Sequence, residues 1–508
     1  MSRHHHHLHE EPYRPPTHFP QFWRHTVRPP RPTTSHFLTA LVVTVLTSVP
    51  LGAQETPPDA APLSPLSPFI SVQSSTVALI HARLLDGTGG PILEDQTVVI
   101  QGERIVSVGP TESADVPEGA QALDLAGHTL IPGLVSLHEH LYFGGVEQMT
   151  PMPVEGPMLY LAMGVTSAMP AGSQFPYYDL NLAQTIEAGL TPGPRIYRTG
   201  PYLNGGPPLP GNQRIVNDPE EVRRVIRYWF SEGATWMKFV GGTSREVLAA
   251  GIDEAHRLGM KITGHLCSVT FTEAAEMGLD ALQHGYITNS DYVPGKLPDV
   301  CPPENMRIQA DLDVESADVR ESIERIVAAG AAVVSTLGVY ETFTPARATL
   351  PPQAMEMLKP LTRQEVERTH ANLADGGLIV PPRLINKMMR WERMFVEAGG
   401  LLGAGSDPWG TGYLPGFGNL RNYEMLLEAG FSAPEVVQIL TLNGARILGE
   451  EHRFGSVEPG KLADLVVIRG DPTSDPTTIY DVVTVFKGGV GYDSMRLRQA
   501  AKGTIGSY

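Results

Sequence analysis

Six ionisable side chains, scattered along more than half of the chain, each stand at the end of a short apolar run. That arrangement constrains the fold more than any other feature. His138 and His140 close LIPGLVSLHEH, Lys238 sits in ATWMKFV, His265 closes MKITGH, His284 closes LDALQH, and Asp407 closes LLGAGSD. On a strand, alternate side chains share a face, so His138 and His140 point one way and Glu139 the other. Such a pair is half of a metal site. The other four end runs where a parallel strand hands over to its loop, and in a (β/α)8 barrel that rim is where chemistry collects.

The intervening sequence supports the barrel. From Leu130 to about Leu448, strand-like runs alternate with helical stretches, as in βαβ units. Helical patterns over 220–232, 244–258, 268–277, 322–329 and 384–398 each precede a strand, most of them ligand-bearing. Right-handed crossovers would bring every strand end to one face. Outside this region, β-rich runs at 77–84, 96–101 and 104–108 are separated by glycine-containing turns, and 462–468 and 482–487 have the same character. The predicted architecture is α/β: a TIM-like barrel over 131–450 with a small composite β-sandwich built from both chain ends, 74–130 and 451–508. Two long connections, 288–317 after His284 and 341–382 after Thr336, are candidate substrate lids, because long βα loops usually carry function.

The chain has 508 residues and a formal charge of −17, although its first 53 residues are net basic. So acidic a body argues against a nucleic-acid partner. Phe37 to Leu51 is an apolar run preceded by Arg24, Arg28 and Arg31 and followed by Gly52-Ala53-Gln54. It is of signal-peptide length and short for a membrane span. Residues 1–53 are therefore predicted to be an N-terminal extension with a signal peptide cleaved near Ala53, and the mature chain to be periplasmic or secreted with no stable membrane span. An uncleaved anchor is the alternative. Residues 54–73 are predicted as a disordered linker, on the Pro, Ala and Ser content of 55–68. The histidine-rich tract upstream of 37 reads as sequence with no place in the mature fold. Cys267 and Cys301 do not make a disulfide framework. A single bridge stays open on geometry; Cys267, two residues past His265, could also be a thiol ligand, and a small buried hydrophobe is the favoured reading.

The ordered set HxH, Lys, His, His, Asp resembles the amidohydrolase superfamily, in the binuclear branch bridged by a carboxylated lysine. LIHARLLDGTGGPILEDQTVVIQGERIVSVGP is similar to the family's N-terminal strands and FGSVEPGKLADLVVIRGDP to its returning strands. EMLLEAGFSAPEVVQILTLNGARILG is similar to the last barrel helices of the imidazolonepropionase-like and prolidase-like subgroup. The resemblance implies two divalent metal ions, zinc foremost: His138, His140 and Asp407 on the inner ion, His265 and His284 on the outer, and Lys238 bridging as its carbamate. An imidazole-rich set suits zinc. It further implies a metal-activated hydroxide as nucleophile and Asp407 as the general base and acid that passes the proton to the leaving nitrogen. Where the subgroup reads LHREL after its aspartate, this chain has Asn419-Leu420-Arg421-Asn422-Tyr423, so a histidine is replaced by Leu420.

Taken singly, each ligand has an ordinary reading: a hydrogen-bonded core histidine, a solvated lysine, an N-cap aspartate. Their order along the chain favours the site. His81, His128, His256, His370 and His452 lack that placement and are read as non-ligands. Tyr142, Tyr286, Tyr340 and Arg421 lie near the expected rim as candidate substrate contacts, and the three tyrosines serve equally well as packing aromatics. The expected activity is hydrolysis of a C–N bond in a cyclic amide or small N-acyl amino acid. A prolidase-like dipeptidase or carboxypeptidase is the rival enzyme, and a non-catalytic barrel binding protein the rival class. A small molecule is the expected partner, with homo-oligomerisation left open.

Overall fold

Eight short parallel strands surround the histidines and the aspartate. A computed structural model describes residues 64–506 apart from 145–148, 207–211, 346, 348–350, 374–379 and 411; the expected signal segment lies outside the described residues. The strands are β1 (Leu134–Glu139), β2 (Val165–Pro170), β3 (Thr199–Asn204), β4 (Trp236–Gly241), β5 (Lys261–Leu266), β6 (Ala281–Gln283), β7 (Ala332–Ser335) and β8 (Leu402–Ala404). Parallel pairing joins β1 to β2 and runs unbroken from β3 to β8. β2 pairs with Arg195–Ile196, just ahead of β3, and a Ser173–Pro201 bridge completes that junction. β8 returns to β1, where the Asp407 amide donates to the His138 carbonyl at 2.8 Å. That closure requires Gly405, since a Cβ there would lie 2.3 Å from the His138 nitrogen. The fold is a (β/α)8 barrel with an additional β domain.

The helices that return the chain to each strand carry sequence-encoded starts. Pro219–Ser231 begins with Asp218 accepting from the Glu221 amide and proline at its first position, and Arg245–Arg257 with Ser244 accepting from Val247. Phe271–Glu276 begins with a Thr270/Glu273 capping box. Capping satisfies amides that the first turn leaves without partners. Pro382–Glu397 buries Leu384, Ile385, Met388, Trp391 and Phe395 along one side. Leu137, Met169, Trp236 and Val334 form an apolar cluster with Ile447 and Phe454, which puts the barrel core against the last helix of the barrel.

Both chain ends weave into one nine-stranded sheet. Leu465–Arg469 pairs antiparallel with His128–Pro132, so a C-terminal strand lies directly beside an N-terminal one. Val77, Leu79, Val98, Ile100, Leu465, Val467 and Phe486 share its core. The linker expectation for 54–73 is corrected at its end: Ile70–Val72 is an edge strand pairing with Val490–Asp493, and Val72 is buried. The Pro-rich composition stops at Pro68, and the apolar residues beyond it find an edge to cover.

The two candidate lids are tethered. The 288–317 connection is fastened by a Cys267–Cys301 disulfide, with Cα atoms 4.8 Å apart. Cys267 is therefore neither a thiol ligand nor a free buried hydrophobe. The other connection, 341–382, is held at its middle by the C-terminal segment: Lys359 donates its amide to Ile505, Ile505 to Met357 and Gly503 to Glu356, at 2.8–3.0 Å. Among the described residues no helix is long and apolar enough to cross a membrane.

Candidate metal centre

All six sequence-predicted ligands meet at the C-terminal ends of the barrel strands. Lys238 Nζ is 3.0 Å from His138 Nε2, and His140 Nε2 is 2.8 Å from Asp407 Oδ1. Asp407 also lies 3.6 Å from His138 Nε2 and 3.7 Å from His284 Nδ1. The His265 and His284 ring centroids are 4.4 Å apart, and those of His138 and His284 4.6 Å. Ligand atoms of His138, His284 and Asp407 fall within 4.8 Å of one another.

The donor set fits divalent metal. His140 Nδ1 and His284 Nε2 are buried and have no hydrogen-bond partner. Buried polar atoms are nearly always paired, so two orphaned imidazole nitrogens in one cluster point to a missing electrophile. Burial, then the nearby Lys238 charge, holds His138 well below the usual imidazole range; burial followed by His265 and His138 does the same to His284. His265 falls to about 4 by burial and then by Lys238. Neutral rings present the lone pairs that coordination needs. Burial brings Lys238 down to about 7, against the pull of Asp407. Asp407 stays well below the carboxylate range: burial alone would raise it, and His138 and His140 overcome that.

Two of the five described non-glycine residues with positive φ lie here. His284 and Asp407 have φ of 71° and 47°, the left-handed region that side chains other than glycine's rarely enter. At His284 this breaks strand alternation, so that neighbouring Gln283 and His284 both serve the cluster. Sequence reasoning missed Gln283, which accepts from His138 Nδ1 at 2.6 Å. It also missed Thr336, 2.7 Å from His284 Nδ1, and the support beneath Glu139. Glu139 points away from the cluster, as alternation requires. Its carboxylate accepts from the Ser406 amide and hydroxyl at 3.1 and 2.6 Å and from Asn419 Nδ2 at 2.7 Å. Those bonds couple β1 to the loop that carries Asp407. Asn419 is one of the residues that depart from the LHREL pattern, and Asn422 joins it by donating to the Gly405 carbonyl at 2.8 Å.

The candidate substrate contacts divide. Tyr142 stacks on His140 with centroids 4.8 Å apart, and Tyr340 meets His284 edge-on at 5.6 Å. Tyr202 places its ring 5.2 Å from Lys238 Nζ. Tyr286 and Arg421 are corrections. The Tyr286 hydroxyl donates to the Gln309 carbonyl at 3.0 Å, making it a buried anchor of the 288–317 connection. Arg421 grips Glu341 bidentately at 2.8 Å and Glu424 at 2.8 Å, so its guanidinium is already matched.

Fold and site together define a barrel protein with a His/Asp/Lys metal-ligand set at its rim. The amidohydrolase family profile matches residues 393–491. An imidazolonepropionase from Streptomyces griseus is 38% identical over 79 residues, which are 14% of this chain and 20% of that protein. The chain thus aligns with only a fifth of that relative's length. Among solved structures, a Bifidobacterium longum protein assigned as a prolidase is 25% identical with a TM-score of 0.59, covering 82% of this chain and 94% of its own. The bottromycin amidohydrolase AH is similar in fold, at 21% identity and TM-score 0.65 over 87% of this chain and 94% of its own. These matches relate the chain to the amidohydrolase superfamily, with imidazolonepropionases and prolidase-like proteins among the proteins it is similar to.

Proposed function

We propose that this chain is an exported, binuclear metal-dependent hydrolase of C–N bonds in small amide or peptide-like substrates. The observation that carries the reading is the convergence of His138, His140, Lys238, His265, His284 and Asp407, with two buried imidazole nitrogens left unpartnered. Bound metal would supply a Lewis acid and a water acidified towards neutrality. His138, His140 and Asp407 would hold one ion, His265 and His284 the other, and Lys238, as its carbamate, both. Asp407 is the residue placed to take a proton: its Oδ1 and Oδ2 reach His140 and His284 across the middle of the cluster, and it is the only carboxylate among the described residues there. Delivered to the leaving nitrogen, that proton makes the departing amine neutral. Tyr142 and Tyr340 pack against the ligand rings and keep bulk water off them.

Export is supported by the apolar run 37–51 and by the Cys267–Cys301 disulfide, a bond that persists in oxidising compartments. A prolidase-like dipeptidase is the second reading, favoured by the Bifidobacterium likeness. Metal analysis with an amide panel tests the proposal. Two transition-metal ions per chain and an Asp407→Asn loss of about 10²- to 10⁴-fold in kcat are expected; a metal-free reconstituted protein, or full activity in the variant, overturns it.

A further inference from the structure

The cations around the site are more informative than the ligands about what the site accepts. The loops after β1, β2 and β8, residues 140–154, 171–176 and 405–416, contain no lysine or arginine, and neither do the undescribed stretches between 145 and 411. The remaining connections carry a few, and all of these but Arg368 have a carboxylate or carbonyl partner. Arg214 bonds Glu221 at 2.5 Å, and Lys296 donates to the Ser268 carbonyl at 2.5 Å. Arg307 pairs with Glu304, and Arg347 takes Glu428 through both terminal nitrogens. Lys359 and Arg363 donate to the carbonyls of Gly506 and Met355, and Arg368 is exposed on the helix Pro360–Asn372. Arg421, the natural carboxylate clamp by position, is bound by Glu341 and Glu424. What borders the ligands instead is aromatic. Tyr142 lies against His140 with Phe175 6.2 Å beyond, Tyr202 lies over Lys238, and Tyr340 lies against His284.

We propose that the barrel rim around the metal ligands selects substrates whose leaving-amine side is uncharged and carries a ring or aromatic group, and discriminates against a free carboxylate there. The proposal rests on the hydrolytic reading above and decides between its two versions. A dipeptidase must hold its substrate's terminal carboxylate, and desolvating a carboxylate without a cationic partner is costly. Tyrosine walls reward a flat, neutral group by burial and stacking.

The test uses full-length, metal-loaded protein and uncleavable ketomethylene analogues, in which CH2 replaces the scissile NH. Each analogue is made as a pair, one ending in a free carboxylate and one in its methylamide. Calorimetric titration is expected to show the methylamide binding at least about 10-fold more tightly. Equal affinity, tighter binding of the carboxylate, or no binding of either overturns the proposal. Hydrolysis of the parent amide pair is followed in parallel. Selective binding of the neutral analogue without turnover of either parent would refute the hydrolytic reading and leave the rim's selectivity standing.

Discussion

Gln283 Oε1 lies 2.6 Å from His138 Nδ1, and the hydrogen bonds behind it decide the imidazole's tautomer. Thr263 gives its single hydroxyl proton to the Ala281 carbonyl at 2.8 Å, so its oxygen can only accept. Gln283 therefore turns its NH2 to Thr263, at 2.7 Å, and its carbonyl oxygen to His138. His138 must carry its proton on Nδ1 and present the Nε2 lone pair to the cluster.

Replacing Gln283 by Met removes that acceptor while keeping the volume. Outer partners of metal-bound histidines are worth about 10- to 100-fold in affinity. Metal affinity, measured by competition with a chromogenic chelator, is expected to fall within that range with the melting temperature little changed. Unaltered affinity would show that the tautomer is set by something else.

Lys238→Ala takes away the one side chain assigned to both ions. The expected result is loss of one ion per chain by elemental analysis, with partial return of ion and activity when short carboxylic acids are added. Retention of both ions without any additive would remove the bridging role.

Glu392 is fully buried beside Ser335, whose hydroxyl donates to it at 2.9 Å, and its other oxygen has no partner. Burial pushes its carboxyl up to about 8. A carboxyl raised on folding contributes stability that is complete below the unfolded value near 4.5 and is lost as pH rises towards 8. Over that window the loss is on the order of 5 kcal/mol. Glu392→Gln, which keeps the amide-like shape without the charge, should leave stability in acid nearly unchanged and raise it relative to wild type above pH 8. Parallel urea-melt profiles for the two proteins across pH would contradict this.

The Cys267–Cys301 bridge spans 34 residues of sequence and ties the 288–317 connection to the strand end that carries His265. Chain-entropy arguments put such a cross-link at about 3–4 kcal/mol. Reduction, or Cys267→Ala with Cys301→Ala, is expected to lower the melting temperature by several degrees and to increase proteolysis within 288–317. Identical digestion patterns with and without reductant would show that the connection is held by its other contacts.

Much of this was legible in the chain itself. The six clustered side chains could be read because five close an apolar run and Lys238 interrupts one, and a parallel barrel converts that one-dimensional regularity into a shared rim. The helix start at Ser244 was equally local, since a cap involves residues only a few positions apart. The strand Ile70–Val72 was not, because its only reason to order is an edge provided some 420 residues later. Arg421 looked like a free rim cation until Glu341, from another strand's loop, appeared against it.

The sequence by itself determined which groups stand at the strand ends, and that Glu139 faces away from His138 and His140, because alternation and capping act over short distances. Only the tertiary structure decided which charges are matched, which cysteines are joined and which nitrogen of His138 is free. Those outcomes depend on pairings between residues far apart in the chain, where burial makes an unpartnered polar group costly and so forces a choice that no local pattern records.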